Sequence, residues 1–76
     1  MKLSKILKES FNADENSLTD ETKLMALNEW DSLSHMFFIT KLEEGYGIDL
    51  TGDEIANMQT VGDVRKMIVS KGKLPE

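Results

Sequence analysis

Cysteine is absent from this chain. That excludes disulfides, thiolate metal sites and any nucleophilic protein thiol, and it fits a reducing cytoplasm. Proline occurs once, at Pro75, so no proline interrupts a helix before the tail. There is one histidine, no glycine-rich phosphate loop and no metal-ligand cluster. No apolar run approaches the ~20 residues of a membrane span. The N-terminus, Met1-Lys2-Leu3-Ser4-Lys5-Ile6-Leu7-Lys8, places a lysine every third residue and has no unbroken apolar stretch, unlike a secretory signal. No window alternates apolar and polar β-branched residues, so strand signals are poor. At 76 residues the chain allows one domain, which buries only about 60% of its unfolded surface. A deep catalytic pocket lined by several groups is therefore not expected, and no catalytic residue is assigned.

Basic residues are scarce where acidic ones are dense. Residues 9–64 hold 13 acids against Lys23 and Lys41, a net of −11; the two ends carry +6, and the chain totals −5. An acidic middle repels nucleic-acid phosphate and steers partners that carry a basic patch. The plain alternative is an acidic surface that only keeps a small domain soluble.

What the chain does have is helical spacing. Leu3, Ile6, Leu7 and Phe11 define one amphipathic helix, stopped by Asn12-Ala13-Asp14-Glu15-Asn16. A long connection, residues 13–31, follows with Leu18, Leu24, Met25 and Leu27 as apolar pegs; loops this long in small domains are functional or pinned. Asp31 and Ser32 both suit an N-cap. Behind them runs the longest helical candidate, Leu33 to Tyr46, which Gly45 and Gly47 are expected to end. Thr51-Gly52-Asp53-Glu54 has the capping-box pattern and predicts a short third helix. Thr60 caps a last one with Val61, Val64, Met67 and Ile68 on one face, ending at Gly72. The expectation is an all-α four-helix bundle with a long first loop and a short third helix. Residues 1–70 form the domain and residues 71–76 a flexible tail.

The second helix has two apolar faces. At about 100° per residue, Phe38, Leu42, His35, Tyr46 and Ile39 share one stripe. Ser32, Leu33, Met36, Phe37, Thr40, Glu43 and Glu44 share the other. Either the 13–31 connection covers this second face or a partner does. A Ser32–His35 catalytic pair lacks an orienting group and an oxyanion site, and His35 lies on the core stripe, so it reads as a core-edge histidine. Asp49-x-Thr51-x-Asp53 hints at a calcium loop but fails, with Glu54 at the glycine position and Thr60 in place of the closing glutamate. Ser32, by contrast, lies at a helix start, where the dipole favours an attached phosphate.

Trp30-Asp31-Ser32-Leu33, the helix running to Leu42-Glu43-Glu44-Gly45-Tyr46-Gly47-Ile48-Asp49-Leu50, then Asp53-Glu54-Ile55 and Thr60-Val61-Gly62-Asp63-Val64, together resemble the acyl carrier protein family. The resemblance covers residues 3–70. It implies that Ser32 carries 4'-phosphopantetheine, derived from coenzyme A, through a phosphodiester. The arm then brings the thiol that the chain lacks. It further implies a cytoplasmic, monomeric carrier of acyl or aminoacyl thioesters that is not itself an enzyme, with no nucleic-acid or membrane partner. A phosphopantetheinyl transferase would modify it, and loading and accepting enzymes would meet Asp31, Leu33, Met36, Phe37, Thr40, Glu43 and Glu44. Three departures from the fatty-acid carriers stand out: Glu29 in place of a glycine, Thr51 in place of a proline, and Phe37 in place of an acid. The Trp-Asp-Ser-Leu form is similar to stand-alone carriers of specialised pathways. The alternative from another class is a helical interaction adaptor with no prosthetic group, in which Ser32 only caps the helix.

Overall fold

The computed structural model describes residues 2–27 and 29–74, without the side chain of Glu15. Four α-helices follow one another: α1 (Lys2–Phe11), α2 (Ser32–Tyr46), α3 (Gly52–Asn57) and α4 (Val61–Ser70), with single 3-10 turns at Glu15–Ser17 and Leu24–Ala26. The expected bundle, its long first loop and its short third helix are all present.

Helix α1 buries Leu3, Ile6, Leu7 and Phe11, as its spacing predicts. Asn12 ends it in the left-handed region at φ 54°, a conformation asparagine tolerates. Phe11 meets Phe38 of α2 with ring centroids 5.2 Å apart. At the far end Lys2 Nζ donates to Gly45 O at 2.8 Å and lies 5.1 Å from the Tyr46 ring. A cation there complements the negative end of α2.

Gly45 does not stop α2, contrary to expectation; the helix runs through it to Tyr46, and Gly47 caps it at φ 66°. A Cβ on Gly45 would sit 3.3 Å from Ile6 Cδ1. Its missing side chain therefore serves the approach of α1, not a turn.

The loop is pinned to the start of α4 by its backbone. Thr22 O accepts from Val61 N and Asp20 O from Gly62 N, both at 2.9 Å, while Leu24 N donates to Gln59 O at 2.9 Å. The first amides of a helix have no partner inside it, and here the loop supplies two of them. Thr60 Oγ1 takes the Asp63 amide, and the Asp63 carboxylate returns to the Thr60 amide. Arg65 Nε pairs with Asp20 Oδ1 at 3.0 Å. Of the expected pegs, Leu24 is buried and Leu18 and Leu27 pack against the core, but Met25 is 72% exposed. Its place is taken by Trp30, which packs on the core.

Thr51 and Glu54 form the predicted capping box on α3. Glu54 also pairs with Lys71 Nζ at 2.8 Å, tying α3 to the end of α4. Beyond α4, the amides of Lys71 and Lys73 both reach Ile68 O, and Pro75 and Glu76 lie outside the described residues.

Candidate functional site

Asp31, not Ser32, is the N-cap of α2. Its Oδ1 accepts from Ser34 N at 2.7 Å, and its own amide donates to Ser34 Oγ at 2.9 Å. Serine thus fills the third-position role usually held by glutamate or glutamine. The Ser34 amide, and then its hydroxyl, hold the Asp31 carboxyl below the usual aspartate value. Upstream, Glu29 Oε2 accepts from Asn12 Nδ2 at 2.9 Å, linking the end of α1 to the approach to α2.

The cap role being filled, the Ser32 hydroxyl is left in the first turn, exposed and without a hydrogen-bond partner among the described residues. A phosphodiester on this oxygen would stand at the positive end of a 15-residue helix. Nothing buried would have to move to admit it. The residues present therefore fit a phosphate-linked group.

The two faces of α2 separate as the spacing predicts. Phe38, Ile39, Leu42 and Tyr46 are buried. On the other side Leu33 is 82% exposed, Met36 62% and Phe37 44%, so the loop does not cover them. Thr40 and Glu44 are also exposed, although Thr40 Oγ1 bonds back to Met36 O. Glu43 differs: it is half-buried, and its Oε2 accepts from Leu50 N at 2.9 Å, bracing the turn into α3. Two features escaped the sequence reading. Lys41 Nζ lies 5.3 Å from the Phe37 ring, and Trp30 Nε1 donates to His35 Nδ1 at 3.2 Å. An aromatic four residues before a lysine was a visible signal for the first. His35 sits at the core edge, with its Nδ1 engaged by Trp30 and not by Ser32.

A family model described as "Phosphopantetheine attachment site" matches residues 2–68. The acyl carrier protein of Lactobacillus acidophilus is 32% identical, over 91% of this chain and 86% of its own length. That of Rickettsia massiliae is 31% identical, over 88% and 78%. The chain belongs to the acyl carrier protein family. Among solved structures, the solution structure of holo acyl carrier protein from Geobacter metallireducens superposes with a TM-score of 0.79 at 36% identity, covering 91% of this chain and 79% of that one.

As a member of this family the protein is a phosphopantetheine carrier, with 4'-phosphopantetheine covalently attached. Nothing in these likenesses supports the adaptor reading. The three residues singled out in the sequence each have a visible place in the structure. Glu29 holds Asn12, Thr51 caps α3, and Phe37 stands exposed beneath Lys41.

Proposed function

We propose that Ser32 is the attachment residue and that the chain shuttles an acyl or aminoacyl thioester between enzymes of a biosynthetic pathway. The observation that carries this is the exposed, unengaged hydroxyl of Ser32 at the start of α2, inside Asp31-Ser32-Leu33. When bound, the prosthetic group supplies the thiol that a cysteine-free chain cannot. The chain's own residues do the rest. Asp31 holds the helix start in place, and its charge sits beside the serine. Leu33, Met36 and Phe37 offer an apolar contact surface, and Thr40 and Glu44 edge it. Glu43 contributes through the oxygen not used on the Leu50 amide. None of these groups performs a bond-breaking step, so the protein is a carrier and not an enzyme.

The partners are a phosphopantetheinyl transferase and the loading and accepting enzymes. The carrier acts as a monomer in the cytoplasm, without nucleic acid or membrane; among the described residues no helix is long and apolar enough to cross one. Its domain is residues 1–70 and its tail residues 71–76. The test is intact mass after incubation with coenzyme A and a transferase. Wild type gains one arm and Ser32→Ala gains none. Modification that persists in Ser32→Ala overturns the assignment. The variant should melt close to wild type, because the cap belongs to Asp31.

A further inference from the structure

Between the loop and α3 lies a groove of about 420 Å³, walled by Leu24, Met25, Trp30, His35, Ile55 and Met58. Lys23 and Gln59 lie at its border, and His35 lines it from α2, one turn further along the helix than Ser32. Residues three apart on a helix are neighbours, with Cβ atoms about 5–6 Å apart. The imidazole is held from two sides. The Trp30 ring meets it edge-on at 5.9 Å, and the Phe38 ring lies at 6.4 Å on the core side.

The hydrogen bond from Trp30 fixes more than orientation. An indole N–H can only donate, so His35 Nδ1 must accept and cannot carry a proton. In a neutral imidazole the proton then belongs to Nε2. Burial pushes the His35 pKa down, which keeps the ring neutral near neutral pH. Nε2–H has no acceptor among the described residues. A donor of fixed tautomer thus stands in the wall of a mostly apolar groove, one turn from the proposed attachment oxygen.

We propose that Trp30 sets His35 as a hydrogen-bond donor into this groove, and that its Nε2–H holds a carbonyl oxygen of the arm or of the cargo it carries. His35 is then a positioning residue, and Trp30 acts through it. The proposal rests on the Ser32 reading. The acceptor is a carbonyl in either case, an amide of the arm or the thioester of the cargo, and comparing holo with acyl-loaded protein separates the two.

The test is NMR of the full chain with 15N-labelled histidine and a 13C-labelled arm, after mass has located the arm on Ser32. In apo protein the ring nitrogens should report the Nε2–H tautomer, and Trp30→Phe should let the other tautomer appear. In holo protein the Nε2–H should exchange with water several-fold more slowly, and an arm amide carbonyl should leave its free-arm shift. If both changes appear only after acylation, the acceptor is the thioester. His35→Gln, which keeps a donor, should retain the carbonyl shift. His35→Phe, which has none, should lose it without losing the cooperative melt. An arm located on Ser32, with Nε2–H exchange and carbonyl shifts unchanged in both loaded forms, overturns the proposal. An arm that is absent from Ser32 overturns the attachment reading first, and this proposal with it.

Discussion

Phe37 and Phe38 are consecutive in α2 and chemically identical, yet one is 44% exposed and the other fully buried. A rotation of about 100° separates them. One face of the helix makes the core with α1, and the other offers Ser32, Leu33, Met36 and Phe37 outward. The same helix therefore serves stability on one side, and we propose that it serves recognition on the other. Overall hydrophobicity cannot tell the two faces apart, but burial can.

The sharpest way to break this comparison is to truncate the inner ring. Phe38→Ala should cost about 3–5 kcal/mol. That is a large part of a small domain's stability, and it corresponds to a melting temperature at least ~12 °C lower. A thermal melt within a few degrees of wild type would contradict the buried face.

Next in size is the loop anchor. At Gly62 a Cβ would lie 2.8 Å from Asp20 O, the same oxygen that accepts the Gly62 amide. Alanine gains about 1 kcal/mol of helix propensity, but the strap must shift, and overpacking of this kind costs about 1–3 kcal/mol. Urea unfolding of Gly62→Ala should therefore show a net loss. A stabilised variant would mean that the strap yields freely.

Acid should act on His35 at the core edge first and on the helix caps second. The carboxyls of Asp31, Glu54 and Asp63 are all held below their usual values. The Ser34 amide is the main cause for Asp31, the Lys71 ammonium for Glu54, and the Gln59 and Thr60 amides for Asp63. The unfolded chain binds these protons first, so their stabilisation is complete above the unfolded values, about 3.9–4.3. It is lost as pH falls through the lower folded values. His35, lowered by burial, adds an earlier decline that begins near pH 6.5, where the unfolded ring charges and the folded one does not. Melts taken across this range should fall in these two stages, and Asp63→Asn should shrink the second.

The smallest stability effect belongs to the outer ring. Phe37→Glu should change stability by less than about 1 kcal/mol, because the site is exposed and the new carboxylate falls four residues before Lys41. Its effect should appear instead as a cognate partner weakened by more than about 1 kcal/mol, measured by titration. A collapsed melt would make the two faces alike.

Much of this was legible in the sequence because it rests on periodicity and capping chemistry. The α2 stripes, the Thr51–Glu54 box and the Thr60 cap all follow from side chains near one another in the chain. What escaped depends on partners distant in sequence. The loop strap is built from carbonyls of Asp20 and Thr22, which leave no side-chain signature beyond the glycine at 62. Gly45 read as a helix stop because Ile6 cannot be seen from its neighbours. Glu43 read only as a partner-facing charge because the Leu50 amide it serves lies across a turn. Met25 read as a peg on composition alone, whereas Trp30 is the residue that packs on the core.

The strap has a kinetic consequence. Helix α4 cannot satisfy its first amides until the loop, made much earlier in the chain, has closed back onto it. Closing that loop costs entropy before any contact repays it. Helix α4 and the loop should therefore form together, late and as one cooperative unit. The amide protons of Val61 and Gly62 are its reporters. They should exchange with solvent only when the whole domain opens, although they sit at a helix end, where fraying is ordinarily fastest.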